Sequence, residues 1–155
     1  GSGDDVLWSS SGNDIIEGGT GNDNIDGGVG NDVLSGGDGI DRIHGRGGDD
    51  HINGGAGADT IITGSGYDSI DYSFLTDSNS TAYDTITDFQ QGVDHINLYD
   101  LAAAGIISFD SLHVANDTVH NETVITANDN NSATEHFELH LKGIIDLHHE
   151  DFLWG

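Results

Sequence analysis

An aspartate returns every nine residues through the first half of the chain, at Asp5, Asp14, Asp23, Asp32, Asp41, Asp50, Asp59 and Asp68, with no insertion between copies. Two residues before each stands a glycine: Gly3, Gly12, Gly21, Gly30, Gly39, Gly48, Gly57 and Gly66. Two residues after each stands an aliphatic side chain: Leu7, Ile16, Ile25, Leu34, Ile43, Ile52, Ile61 and Ile70. Carboxylates can serve as acid, base or cation ligand. A row of them in one repeated frame suits cation binding far better than acid–base catalysis, which needs paired groups held in different surroundings. Glycine runs let the backbone adopt positive φ and curl until its carbonyls face a common centre, which the aspartate closes with charge.

The elements that hold such centres follow from the same period. The last three residues of each copy, such as "NID" or "VLS", form a short strand whose middle side chain points to one face, and the six residues before them form a turn. Turn, strand, turn, strand makes one coil of eighteen residues. Stacked coils then give two parallel sheets back to back, with the aliphatic column as a thin core between them. Successive turns alternate edges, so the aspartates that stack are eighteen residues apart.

Composition narrows the partner. Three basic residues, Arg42, Arg46 and Lys142, stand against 28 acidic ones, for a formal net charge of -25. That balance excludes nucleic acid and anionic lipid, which need clustered Lys or Arg to replace their counterions. The matching partner is a cation. There is no cysteine and therefore no disulfide framework, no apolar run of membrane-spanning length, and no basic-then-apolar leader at this N-terminus. At 155 residues the chain holds one domain or two small ones, without a large ordinary core.

The cation is also needed for folding. Each buried aliphatic side chain contributes roughly 1.5–3 kcal/mol, whereas ordering each backbone residue costs roughly 1–2 kcal/mol and glycine loses the most freedom. Stacked carboxylates about 4.8 Å apart add repulsion. The repeats are expected to be disordered until a divalent cation sits between the aspartates. Carbonyl and carboxylate oxygens in a tolerant geometry favour Ca²⁺, because Mg²⁺ keeps its waters.

The copies "GGTGNDNID", "GGVGNDVLS", "GGDGIDRIH" and "GGAGADTII" resemble the nonapeptide GGxGxDxUx of the RTX (repeats-in-toxin) family, a known Ca²⁺-binding β-helix repeat. "YDTITDFQQGVDHINL", residues 83–98, and the ending "LHLKGIIDLHHEDFLWG" are similar to the region that follows the repeats in serralysin-type proteins exported by type I secretion. The resemblance implies an all-β chain with a parallel β-roll over residues 1–71 and a β-rich capping and secretion region over 72–155. It implies that each Ca²⁺ is held by two aspartates one coil apart. The pairs would be Asp5–Asp23, Asp23–Asp41 and Asp41–Asp59 on one edge, and Asp14–Asp32, Asp32–Asp50 and Asp50–Asp68 on the other, for about six ions or more. It further implies backbone ligands among Ser9 and Ser11; Gly18, Gly19, Thr20 and Gly21; Gly27, Gly28, Val29 and Gly30; Gly36, Gly37, Asp38 and Gly39; Gly45, Arg46, Gly47 and Gly48; and Gly55, Gly57, Gly64 and Gly66. "SSSGND" lacks both leading glycines and "GRGGDD" lacks one.

After Tyr72 the nonapeptide period is lost. Residues 73–82 read as a loop. "YDTITDF" and "DHINLYDL" read as strands joined by "QQGV" in a hairpin-like turn, "LAAAGII" as a short helix or bend, and "LHVANDTVHNETVITANDN" and "EHFELHLKG" as further antiparallel strands. Such a unit would cap the last coil, whose sheet edges are otherwise open. Asp84, Asp88 and Asp94 either help bind a last Ca²⁺ where roll meets cap or are ordinary turn aspartates. His136, Glu138 and His140 share one face of a strand; a solvated face is the preferred reading over a transition-metal site.

Protease and lipase motifs such as HExxH and GxSxG are absent. The expectation is a non-enzymatic, Ca²⁺-triggered folding module of a larger secreted protein. The resemblance implies an extracellular or cell-surface location in a Gram-negative bacterium, transient contact with the type I secretion machinery, and a monomer. The alternative is a Ca²⁺-dependent module for polysaccharide or cell surface, disfavoured by the scarcity of basic residues. Ice binding is set aside, because the third repeat column (Ser2, Ser11, Thr20, Val29, Asp38, Gly47, Ala56, Ser65) forms no regular Thr/Asn array.

Overall fold

Strands alternate between two sheets, as the period requires. The computed structural model describes residues 1–104, 109–128 and 136–154. One sheet takes β1 (Val6–Trp8), β3 (Asn24–Asp26), β5 (Arg42–Gly47) and β7 (Thr60–Ser65); the other takes β2 (Ile15–Thr20), β4 (Val33–Asp38), β6 (His51–Ala56) and β8 (Ser69–Asp71). Each strand pairs in parallel with the strand eighteen residues on. Leu7, Ile25, Ile43 and Ile61 therefore stack in one sheet, and Ile16, Leu34, Ile52 and Ile70 in the other. These columns face each other, and from Ile25 onward they are buried. Several strands run to six residues rather than three, because the first turn residues go on pairing from coil to coil, Gly19 with Gly37 and Gly37 with Gly55.

Beyond residue 71 the structure corrects the hairpin. The segments β9 (Asp84–Ile86) and β10 (His95–Asn97) lie in opposite sheets, each parallel to the roll. The physical reason is a return of the repeat columns out of phase. Asp84-Thr85-Ile86 and Gly92-Val93-Asp94-His95-Ile96 keep the spacing from aspartate to aliphatic, so Ile86 stacks on Ile61 and Ile96 on Ile70. "QQGV" consequently turns an edge instead of reversing the chain within a sheet.

The antiparallel strands are present as β11 (His113–Asp117), β12 (Glu122–Asn128) and β13 (His136–Lys142). They extend the roll directly: β13 lies parallel on β9, with Leu141 beside Ile86, and β14 (Phe152–Leu153) lies parallel on β10. Both sheets thus continue past the repeats, with eight and six strands among the described residues. Here the core widens. Phe137, Leu139, Leu141 and Ile125 point inward from alternate positions, and Tyr72 meets Phe137 edge-on with centroids 5.2 Å apart. A 3-10 turn spans Tyr99–Ala104, where a helix or bend is expected; residues 105–107 and 129–135 lie outside the described residues. At the opposite end Val6, Trp8 and Ile15 are exposed, and Leu7 and Ile16 only partly buried. No helix among the described residues is long and apolar enough to cross a membrane.

Candidate metal centre

The two oxygens of each repeat aspartate do different things. Oδ1 accepts the backbone N–H of the aspartate one coil earlier: Asp5 donates to Asp23 (2.8 Å), Asp14 to Asp32 (2.9 Å), Asp23 to Asp41 (2.7 Å), Asp32 to Asp50 (2.9 Å), Asp41 to Asp59 (2.8 Å) and Asp50 to Asp68 (2.9 Å). The ladder then crosses the insertion, since Asp59 donates to Asp84 at 2.9 Å. Oδ2 of Asp23, Asp32, Asp41, Asp50, Asp59, Asp68 and Asp84 is buried and has no protein hydrogen-bond partner. A buried carboxylate oxygen without a partner is costly, so a row of them calls for a positive ligand.

The first glycine of each copy leaves room for that ligand. A Cβ on Gly27 would lie 2.6 Å from Oδ2 of Asp32 and 3.1 Å from the Gly45 carbonyl oxygen. One on Gly18 would meet Oδ2 of Asp23 and lie 2.5 Å from the Gly36 carbonyl oxygen; one on Gly45 would meet Oδ2 of Asp50 and lie 2.5 Å from that of Thr63. Gly36 lies against Asp41 and the Gly54 carbonyl in the same way, and Gly54 lies against Asp59. The cradles at Gly18, Gly27, Gly36 and Gly45 therefore join a carboxylate of one turn to a carbonyl of the next coil. All donors are hard oxygens, which fits Ca²⁺.

The remaining candidate residues shape these turns. Gly19, Gly28, Gly37, Gly55 and Gly64, and every fourth-column glycine from Gly21 to Gly66, hold positive φ, and a Cβ on Gly30, Gly39, Gly48, Gly57 or Gly66 would strike a carbonyl one coil away. Thr20, Val29, Asp38 and Gly47 carry the coil-to-coil pairing through the turn. Arg46 stands where a glycine is usual and keeps φ at 78°, its guanidinium donating to both oxygens of Asp26 (Nε at 2.7 and 2.8 Å). Ser9 fills its cradle differently: its hydroxyl, with one proton to donate, lies between Oδ2 of Asp14 and the Gly27 carbonyl, within hydrogen-bond reach of the first and 2.8 Å from the second, while Ser11 pairs with Val29.

The three aspartates left open by the sequence divide. Asp84 extends the ladder with its unpartnered Oδ2. Asp88 accepts from the N–H groups of Thr63 (2.8 Å) and Gly64 (3.0 Å), and Asp94 from those of Gln90 (2.8 Å) and Asp68 (3.4 Å), so protein donors close that edge. Sequence reasoning missed Gly54, the Thr63 carbonyl, and buried Asp77, whose Oδ2 accepts from Ser73 and Phe74 at 2.9 Å. It also missed a second, exposed ladder on the residue before each aspartate. There Asn31 donates to Asn13, Ile40 to Asn22, Asp49 to Asn31 and Tyr67 to Asp49, at 2.8–3.0 Å. The signal was visible as the Asn and Asp residues at positions 4, 13, 22, 31 and 49.

Burial raises the carboxyl pKa values above the ordinary range, to about 6 for Asp50 and Asp68, about 7 for Asp59 and about 9 for Asp84, where neighbouring Asp59 adds to the effect. The metal-free fold gains from these groups below their unfolded pKa near 4 and loses that gain as pH rises through 6 to 9. Cation binding needs the ionised form, so protons compete with it. The unfolded chain from which Ca²⁺ binding starts carries carboxyls near their ordinary pKa of about 4, so the Ca²⁺ concentration at half-folding is expected to stay nearly level from pH about 8 to about 5.5 and to rise steeply as pH falls through about 4, followed by circular dichroism. A midpoint that does not rise as pH falls through about 4 would exclude these carboxylates as the ligands.

Residues 1–34 and 35–70 match the family described as RTX calcium-binding nonapeptide repeat (4 copies). No curated protein matches the chain. Among solved structures the chain is similar to the R3 subunit of the AlgE6 mannuronan C5-epimerase of Azotobacter vinelandii, with 26% identity over 92% of this chain and 80% of that one and a TM-score of 0.70. The R2 subunit of the same enzyme shares the fold at 21% identity, covering 96% of this chain and 91% of that one, with a TM-score of 0.61. Alternating parallel sheets agree with these solved folds, and residues 1–70 of this β-roll are RTX calcium-binding nonapeptide repeats.

Proposed function

We propose that this roll is a Ca²⁺-triggered folding module of a larger extracellular protein, itself without catalytic activity, exported unfolded by a type I system and folded outside the cell as a monomer. The observation that carries the proposal is the row of buried Oδ2 atoms without partners, which makes the folded state unfavourable until cations arrive. About six or more Ca²⁺ ions would lie between successive aspartates on the two edges, held also by turn carbonyls, with Asp84 closing one edge. Where free Ca²⁺ is scarce, self-repulsion keeps the chain extended enough to thread a channel; where it is abundant, binding drives folding by mass action. The role requires a midpoint between those conditions, about 10⁻⁴ to 10⁻³ M. Ca²⁺-buffered circular dichroism is expected to find it there. A chain already folded at submicromolar Ca²⁺ would overturn the export role while leaving the repeats as Ca²⁺ ligands.

The likeness to a subunit of an enzyme acting on mannuronan supports a second reading, a Ca²⁺-dependent polysaccharide module. Among the roll's exposed side chains only Arg42 and Arg46 are basic, and Arg46 is paired with Asp26. Retardation on an anionic polysaccharide gel, reversed by chelator, would favour this reading.

A further inference from the structure

The outer face of the C-terminal sheet carries a polar hollow that the calcium sites do not use. Pairing of β11, β12 and β13 puts Asp117 beside Glu122 and Glu122 beside Lys142 in one row, with His140 and Glu138 at the next outward positions of β13. A cavity of about 510 Å³ is lined by these residues together with His120 and Tyr83. Asp117, His120 and Glu122 each offer one ligand atom, and those atoms lie within 4.8 Å of one another. Glu122 is only 8% exposed.

His140 is the second, independent observation. The face expected to be solvated buries this ring, stacked 3.8 Å beneath Tyr83, with Nδ1 3.0 Å from Glu122 and Nε2 3.0 Å from Glu138. An imidazole gripped on both nitrogens orients the carboxylate it touches, which is how the surroundings of a metal ligand work. Three carboxylates here, Asp117, Glu122 and Glu138, face Lys142, which donates to Glu122 Oε2 at 3.0 Å, and His140, which donates from both nitrogens as the imidazolium. His120 Nδ1 and Asp117 Oδ2 share a hydrogen bond of 2.6 Å, and a metal ion would take the place of the proton between them.

We propose that Asp117, His120 and Glu122 form a second metal site, selective for a borderline ion of the Zn²⁺ class over Ca²⁺. An imidazole nitrogen with two carboxylates suits Zn²⁺ with an open fourth position, whereas Ca²⁺ takes six to eight oxygens that this hollow does not supply. His140 and Glu138 hold Glu122 in place, and Lys142 competes for it.

The test is Zn²⁺ titration by calorimetry into the Ca²⁺-saturated full chain, with Co²⁺ as a spectroscopic stand-in. One equivalent of Zn²⁺ is expected to bind without releasing Ca²⁺, and Co²⁺ to develop the visible absorption of a low-coordinate site. His120→Ala, at an exposed position, should weaken Zn²⁺ at least roughly tenfold and leave the Ca²⁺-induced spectrum unchanged. Lys142→Met should tighten it by removing the competing ammonium. A His148→Ala/His149→Ala variant should bind as the parent does. No heat at about 100 µM Zn²⁺, binding lost in the His148/His149 variant but kept in His120→Ala, or release of Ca²⁺ by Zn²⁺ would each overturn the proposal.

Discussion

In excess chelator the chain is expected to lose its parallel sheets and expand, regaining them cooperatively when Ca²⁺ is returned. Seven buried Oδ2 atoms without partners stand along the two edges, and each belongs to a carboxylate stacked over another of the same sign. Inside the repeats the opposing force is one aliphatic side chain per nine residues. Removing the cations therefore leaves the cost of desolvated charge unopposed. Mg²⁺ should restore little structure, because it gives up its waters reluctantly and the turn carbonyls cannot replace them in octahedral order. The effect has a position dependence. Asp41 is buried, accepts from Asp23 and donates to Asp59, whereas Asp5 is half-exposed and only donates. Asp41→Ala should raise the Ca²⁺ midpoint several-fold more than Asp5→Ala, and equal shifts would mean that the turns bind independently. An unchanged far-ultraviolet spectrum in chelator would remove the basis of the folding switch.

The repeats were legible because three columns carry the whole design. Glycine, aspartate and aliphatic residues at fixed offsets dictate turn, ligand and core, and the register Ile25–Ile43–Ile61 follows from counting. The split roles of Oδ1 and Oδ2 were not legible, since which oxygen meets the N–H of the preceding coil depends on the stacking distance and not on residue type. Ser9 shows the same limit: as a missing glycine it is a defect in the pattern, yet its hydroxyl spans the two oxygens of the cradle. The second half was misread at Gly92-Val93-Asp94-His95-Ile96. Its columns are those of a repeat, but the insertion puts Asp94 twenty-six residues after Asp68, and a search at a fixed period of nine passes over it. His140 was misread because alternation predicts the face a side chain is on and says nothing about Tyr83 lying over it.

Deleting residues 73–155 is expected to leave repeats that do not fold at millimolar Ca²⁺, although all eight repeat aspartates remain. The deletion uncovers Ile61 and Ile70, on which Ile86 and Ile96 stack, and takes from Asp59 the carboxylate of Asp84 that its N–H meets. It also removes the broadest part of the core, where Phe137, Leu139, Leu141, Ile125 and Phe152 are buried. The first coil to form needs a surface to form against, and a solenoid without one faces the whole nucleation cost. In the first coil Leu7 and Ile16 are only partly buried. Order should therefore spread from Asp68 toward Asp5. At limiting Ca²⁺, hydrogen exchange should show amides around Asp50 to Asp68 protected before those around Asp5 to Asp14. If residues 1–72 fold alone at the same Ca²⁺ midpoint as the full chain, or the first coil is protected earliest, the C-terminal strands are not the nucleus and export from the C-terminus gains nothing from them.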